Sequence, residues 1–444
     1  MSSVLFGTDG VRGVPGEPPL DGDTIASLGA ALTDALGGAP RIACGRDTRD
    51  TGTWVQQRFA DGVRARGGAP IDVGVVPTPG VALIASRCGF DAGVAISASH
   101  NPYPDNGIKI LRSSGAKASA DLERNIEARV AGIRATSSVP PVSGSSLESA
   151  DLLDTYVEHL LGVVGDVRLA GLSVAIDCAH GATSGIASRV LRRLGVSVIE
   201  LHAAPDGRNI NETCGSTHPQ ALQAAVVEHG CRLGFAFDGD GDRVVLVDGR
   251  GGIVDGDGVL FVVARHLHRA GRLAGGGVVA TVMSNFGLDA ALADAGIRLH
   301  RCPVGDAQVL AEMERRGVCL GGEQSGHIIF SDLLRTGDGL GTALSVLRMV
   351  AESGCELADL VAGLRIYPQV LLNVRVTRKP DLDELPAIQG AIRAAEARLG
   401  GAGRVLVRYS GTEAVLRVMI EGPDRDVVQR LAERVAACAR QELA

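Results

Sequence analysis

The chain has 444 residues, 45% of them hydrophobic and 21% charged, with a formal net charge of −7. That is a globular make-up with room for about three or four domains of ~100–150 residues each. The acidic balance and the lack of a basic block exclude nucleic acid as a main partner, no apolar run is long enough to span a bilayer, and Met1-Ser2-Ser3 leads straight into Val4-Leu5-Phe6 with nothing that resembles a signal peptide.

A Gly-rich polar turn, Phe6-Gly7-Thr8-Asp9-Gly10-Val11-Arg12-Gly13, opens the chain. Helical periodicity follows over 25–36. Residues 41–44 read as a buried strand that ends in the turn 45–52, a helix follows near 54–66, and a strand over 71–76 ends at Pro77. Strand and helix in alternation give the α/β pattern with a mainly parallel sheet. Next comes GVAISASHNPYPDNGIKI, Gly93 to Ile110. Val94-Ala95-Ile96 is a short buried strand. Ser97, Ser99, His100 and Asn101 break it, Pro102, Pro104 and Asn106-Gly107 force turns, and apolar alternation resumes at Ile108, Lys109 and Ile110. A loop with a hydroxyl, an imidazole, an amide and an ammonium is a site candidate rather than a connector.

The arrangement recurs twice without obvious residue identity. Strands over 172–176 and 277–282 each run into a polar turn and a helix. Each of the three units then shows strand, polar loop, strand: the Ser99 stretch in the first, Asp238-Gly239-Asp240-Gly241-Asp242-Arg243 in the second, Glu323-Gln324-Ser325-Gly326-His327 in the third. Ligands of such sheets bind beyond the carboxyl ends of the strands, so three domains would aim their loops at one cleft. A helix over 152–163, with Asp151 as its N-cap, links the first two. The last stretch differs: strands over 371–376, 404–409 and 415–420, a helix over 385–399 with Pro386 in its first turn, and a final amphipathic helix over 427–443. The expected architecture is three similar α/β domains with mixed, mainly parallel sheets (residues 1–150, 151–248 and 249–366) and a C-terminal α+β domain (367–444) around a central cleft.

Nine cysteines scattered as singles fit a reducing cytosol and argue against zinc. Only three of the 44 basic residues are lysines: Lys109, Lys117 and Lys379. Lysine, unlike arginine, can lose its proton when partly buried, and the place of Lys109 in the serine loop favours a chemical role over chance.

Asp238, Asp240 and Asp242 stand at alternate positions with Gly239 and Gly241 between them. Three crowded carboxylates repel unless a cation joins them. An EF-hand calcium loop is excluded, since Arg243 stands where that loop needs glycine and Gly249 where it needs glutamate. A small hard ion such as Mg²⁺, bound by a few carboxylates plus a phosphate, fits. Ser99-His100 invites a serine-hydrolase reading. On an extended segment, however, neighbours point to opposite sides, so His100 is poorly placed to deprotonate Ser99, and no G-x-S-x-G elbow is present. A serine near a three-carboxylate loop suits phosphate chemistry, because a phosphoserine would supply the remaining metal ligand. Arg408-Tyr409-Ser410-Gly411-Thr412-Glu413 reads either as a phosphate cradle or as an ordinary hairpin turn. Glu323, Ser325 and His327 alternate so that one face offers a carboxylate, a hydroxyl and an imidazole to a sugar, or they form a solvated turn.

Taken together, these residues resemble the α-D-phosphohexomutase superfamily over the whole chain. ISASHNPYPDNGIK is similar to its phosphoserine loop, DGDGDR to its metal loop, GEQSGH to its sugar-binding loop and RYSGTE to its phosphate-binding loop. GTDGVRG and NINETCGSTH (Asn209 to His218) resemble the glucosamine branch rather than the mannose/glucose branch. Three positions depart from the pattern: Ala414 stands for a proline, His180 for an asparagine, and Ala307-Gln308 for Arg-Tyr after Gly305-Asp306.

The resemblance implies a cytoplasmic, four-domain isomerase, monomer or homodimer. It would interconvert glucosamine 6-phosphate and glucosamine 1-phosphate through a bisphosphorylated hexosamine, for UDP-N-acetylglucosamine and cell-wall precursors. Ser99 would carry the phosphate, with one Mg²⁺ on Asp238, Asp240, Asp242 and Ser99. Arg12, Lys109 and His327 fall at positions of proton transfer or charge stabilisation, His100 joins them as a catalytic candidate, and Arg243 stands beside the centre. Glu323 and Ser325 would hold sugar hydroxyls, and Arg408, Ser410, Gly411, Thr412 and Arg417 the distal phosphate. The alternatives are a phosphomannomutase/phosphoglucomutase of the same superfamily, a metal-dependent phosphatase, and a non-catalytic sugar-phosphate sensor; an intact nucleophile argues against the last.

Overall fold

Ala92–Ile96 is buried at every residue, as a strand covered on both faces must be. It is central in a computed structural model that describes residues 5–7, 9–136, 147–410 and 414–443. Two units pack separately: Met1–Met283 with His300–Val361, and Ser284–Leu299 with Ala362–Ala444.

The first unit holds three sheets of one design. In the six-stranded sheet, Arg41–Arg46 runs parallel to Ala69–Val75 on one side and to Ala92–Ile96 on the other. Asn106–Arg112 then returns antiparallel to Ala92–Ile96, with Ala95 opposite Lys109 and Ile96 opposite Ile108. In the second sheet Ser173–Asp177 lies parallel to Leu233–Phe237, and Val244–Asp248 returns antiparallel. In the third, Gly277–Thr281 lies parallel to Leu320–Gly322, and Ile328–Phe330 returns. Each antiparallel pair is joined by one of the three polar loops. The loops therefore leave the sheets at equivalent edges.

Helices Gly22–Leu36 and Gly52–Ala65 cover the first sheet. They cross where a Cβ on Gly62 would stand 1.8 Å from the Ala26 carbonyl oxygen, an approach only glycine permits. Asp21 caps the first helix by accepting the Thr24 N–H at 3.0 Å. The linking helix is Leu153–Val164, and its cap is Leu152 with no side-chain bond. Asp151 is thus not the cap, because the first turn begins one residue later than periodicity indicated.

The second unit has an antiparallel sheet of Gln369–Arg375, Val415–Glu421 and Arg404–Tyr409. Helices Pro386–Leu399 and Arg425–Leu443 bury its apolar face. Among the described residues no helix is long and apolar enough to cross a membrane.

Candidate active site

Ser99 is buried and sits at φ +54°, the left-handed region that non-glycine residues avoid. Its hydroxyl donates to Asp238 Oδ2 at 2.5 Å. Gly239 lets the two loops meet, since a Cβ there would lie 2.6 Å from the Ser99 carbonyl oxygen. The left-handed turn also corrects the expectation for His100. The segment is not extended at Ser99, so His100 curls back and Nδ1 comes within 3.3 Å of Ser99 Oγ. That nitrogen already faces Arg243 Nη1 at 3.2 Å. Burial, Arg243 and Arg12 pull the imidazole down to about 4, so it is neutral near pH 7 and accepts from the guanidinium.

Asp238, Asp240 and Asp242 bring one carboxylate oxygen each within 4.8 Å of one another. All three are buried. Asp240 Oδ2 accepts from Lys109 at 2.7 Å and from Thr78 Oγ1 at 2.5 Å, and Asp242 Oδ2 accepts from Lys109 at 3.1 Å. Asp238 Oδ1 accepts the Arg243 N–H at 3.1 Å. Asp240 Oδ1 and Asp242 Oδ1 are buried with no hydrogen-bond partner. Burial and the neighbouring Asp242 and Asp240 charges push the Asp238 carboxyl well above the usual carboxylate range. Orphaned anionic oxygens converging from alternate positions fit a hard cation, and the donors are all oxygen.

Lys109 is 1% exposed in its side chain and touches Asp240 at 2.7 Å, Asp9 at 2.9 Å and Asp242 at 3.1 Å. Burial alone would lower its proton affinity, but the three carboxylates outweigh burial and raise it well above the ordinary value. Lys109 is thereby held as an ammonium among the carboxylates.

Behind it lies a network that sequence reading missed. Lys117 pairs with both Asp9 and Asp306. Arg12 pairs with Asp9 at 2.5 Å and donates to the Ala98 carbonyl at 3.3 Å. The scarcity of lysine was the signal that pointed to Lys117; nothing in the sequence pointed to its carboxylate partners. His327 is buried beside this network, with Nδ1 3.7 Å from Asp242 and Nε2 3.7 Å from Asp306. Burial opposes its protonation, but Asp242 and Asp306 outweigh burial and raise its proton affinity above the ordinary imidazole value. The Gly337 N–H, however, donates to Nε2 at 3.0 Å, which only an unprotonated nitrogen accepts, so Nδ1 carries the ring proton toward Asp242.

Residues 323–327 form a turn, closed by the Gly326 N–H to the Glu323 carbonyl at 3.0 Å, which is the second of the two readings the alternation left open. Ser325 is therefore exposed while His327 is buried, and the two do not share a face. Glu323 is half-buried and accepts the Gly305 N–H at 3.1 Å. In the second unit Arg408 lies opposite Arg417 on adjacent strands, and burial together with Arg417 lowers the Arg408 proton affinity. Ser410 is buried, and its carbonyl accepts from Lys379 at 2.7 Å. Gly411 and Thr412 lie outside the described residues. A second metal-type cluster, Asp177, His202 and Cys214, is already satisfied at its carboxylate by the Ala179 and Gly215 N–H groups and His202.

Models of the phosphoglucomutase/phosphomannomutase family match in chain order: alpha/beta/alpha domain I at residues 3–137, domain II at 154–252, domain III at 255–367, and the C-terminal domain at 371–437. A phosphoglucosamine mutase from Solibacter usitatus is 48% identical over 446 residues, covering 100% of both chains. The chain belongs to this family, in its phosphoglucosamine mutase branch. The phosphoglucosamine mutase of Moorella thermoacetica is 45% identical, over 98% of this chain and 99% of its own. Among solved structures, a phosphoglucomutase/phosphomannomutase family protein from Burkholderia thailandensis superposes with a TM-score of 0.80 at 27% identity, covering 99% of this chain and 98% of that one. Membership of the phosphohexomutase family makes the chain an enzyme whose fold carries a metal site, and the three aspartates of the DGDGDR loop are where this chain offers one.

Proposed function

We propose that the protein is a Mg²⁺-dependent phosphoglucosamine mutase of the cytoplasm. It interconverts glucosamine 6-phosphate and glucosamine 1-phosphate for UDP-N-acetylglucosamine synthesis. The reading is carried by one observation: a buried serine hydroxyl hydrogen-bonded at 2.5 Å to the first of three carboxylates, two of which keep orphaned oxygens.

Phosphorylated Ser99 is the donor. The bond between phosphorus and Ser99 Oγ breaks as a bond forms to the oxygen of the free sugar hydroxyl, whose proton is matched by one taken up on Ser99 Oγ, giving the 1,6-bisphosphate. That intermediate turns over, and its other phosphate returns to Ser99. The transition state for such transfer is loose, so positioning and charge stabilisation are what the protein supplies. Asp238, Asp240, Asp242 and Ser99 would hold the ion, which when bound supplies positive charge to the phosphoryl oxygens. Lys109, locked as an ammonium, and Arg12 add fixed positive charge on the serine side. In the dephosphorylated enzyme the Ser99 proton has two acceptors within reach. Arg243 already faces His100 Nδ1, so Asp238 Oδ2 holds it. Arg243 is a positioning residue, bound through its N–H to Asp238. Glu323 and Ser325 hold sugar hydroxyls; Arg408, Ser410, Gly411, Thr412 and Arg417 hold the distal phosphate, where two facing arginines concentrate charge. His327, neutral and buried, steadies Asp242.

The second reading keeps the fold and prefers mannose or glucose phosphates. It rests on Ala307-Gln308 after Gly305-Asp306, where the family pattern has a cation that this chain lacks. Relative rates on the three sugar phosphates separate the two.

The purified protein should carry a phosphate that maps to a peptide containing Ser99. Ser99→Ala should abolish isomerisation while circular dichroism and melting temperature stay as in the wild type. Appreciable mutase activity in that variant removes the reading.

A further inference from the structure

The Ser99 loop is irregular backbone in a buried place, so its carbonyls need donors. One guanidinium supplies most of them. Arg49 and Asp47 form an ion pair, Nε to Oδ2 at 2.9 Å, with both side chains wholly shielded from solvent. Arg49 Nη1 donates to the carbonyls of Pro102 at 2.5 Å and Asp105 at 2.8 Å. Nη2 donates to those of Ser99 at 3.2 Å and Asn101 at 2.7 Å. Asp47 fixes the other side of the loop: Ser97 Oγ donates to Asp47 Oδ2 at 2.6 Å, and the Ser99 N–H donates to Ser97 Oγ at 2.9 Å.

A second donor arrives from the stretch between the second sheet's strands. Asn211 Nδ2 donates to the same Ser99 and Asn101 carbonyls, at 2.8 and 2.9 Å. Its own N–H is fixed to the Ala179 carbonyl at 2.9 Å, and its φ is +59°. The Ser99 and Asn101 carbonyls are thus each gripped twice, by Arg49 and by Asn211. Neither side chain bonds to a reacting atom.

A non-glycine residue in the left-handed region persists only where its surroundings over-determine it. We propose that Arg49 and Asn211 are positioning residues for phosphoryl transfer, together holding Ser99 in the left-handed turn that aims its Oγ at Asp238. This rests on the phosphoserine reading above. With either donor lost, the loop relaxes toward extended backbone and Oγ swings away from the carboxylates. The phosphoserine then meets water instead of the sugar hydroxyl. In that leak the bond from phosphorus to Ser99 Oγ breaks, a water oxygen takes its place, a water proton goes to Oγ, and inorganic phosphate leaves.

The test compares wild type, Arg49→Lys and Asn211→Gly. Lysine keeps the charge beside Asp47 but lacks the planar fork that reaches four carbonyls. Glycine adopts the left-handed backbone freely and removes only the side-chain donor, so it covers the case in which Arg49→Lys fails to fold. Two quantities are read per phosphoserine-bearing molecule: kcat and KM for isomerisation, and inorganic phosphate released per turnover. Expected are a kcat loss of roughly 100-fold for Arg49→Lys and roughly 10-fold for Asn211→Gly, with KM within about threefold and the share of phosphate lost to water up at least about tenfold. A merely structural role would lower the yield of active protein and leave kcat and that share unchanged; this result overturns the proposal. A wild type that does not isomerise overturns the mutase reading itself, and the positioning role with it.

Discussion

An ammonium enclosed by Asp9, Asp240 and Asp242 cannot be exchanged for an apolar group without leaving those charges uncompensated. Breaking a buried pair by removing one partner costs about 3–5 kcal/mol. Lys109→Met is therefore expected to melt several degrees lower in calorimetry, and to isomerise at least ~100-fold more slowly. Mg²⁺ should narrow the stability loss, because the ion replaces part of the missing charge. What the sequence tells about such residues is uneven. The rarity of lysine singled out Lys109, and alternate aspartates between glycines announced a cation site. The protonation of Lys109 was not legible, since it depends on Asp240, Asp242 and Asp9, which tertiary contact alone brings near. The reach of His100 to Ser99 was likewise hidden, because serine gives no local signal for a positive φ.

At the scale of elements, apolar runs located the strands well, since strands buried on both faces have nowhere else to go. Ends and turns were less legible. The 323–327 turn alternates like a strand but is closed by its own backbone bond, and the Asp151 cap failed because an N-cap depends on where the first turn starts. Helix Ala120–Thr136 carries a titration that periodicity could not reveal. Burial, then Glu127, Asp306 and Asp9, push the Glu123 carboxyl up to about 7 from an ordinary 4.5. The folded state thus binds more protons than the unfolded chain between those values. The stability linked to this group is complete below pH 4.5 and is lost as pH rises through 7, where the ionised carboxylate sits among like charges. Glu123→Gln should accordingly raise the melting temperature at pH 8 and leave it unchanged at pH 4. Equal shifts at both values would mean that Glu123 is ionised throughout.

For the molecule as a whole, the carboxylate loop is also a join within the first unit. The Thr78 N–H and hydroxyl both bond to Asp240, the Ala182 N–H bonds to the Gly239 carbonyl, and Ser99 bonds to Asp238. Loops from two sheets therefore close on one another around three like charges, and repulsion among them works against closure. A divalent ion relieves that repulsion only in the folded chain, because the unfolded chain does not hold the three oxygens together. Binding is then linked to folding: at 100 times its Kd the ion adds about 2.7 kcal/mol. All three aspartates belong to the first unit, so calorimetry should show the transition of that unit rising by a few degrees with Mg²⁺ and falling back with a chelator. Asp240→Asn removes one of the converging charges and should blunt the response. An Asp240→Asn protein that still gains as much from Mg²⁺ as the wild type would show that the ion acts elsewhere, and the three aspartates would need another explanation for their orphaned oxygens.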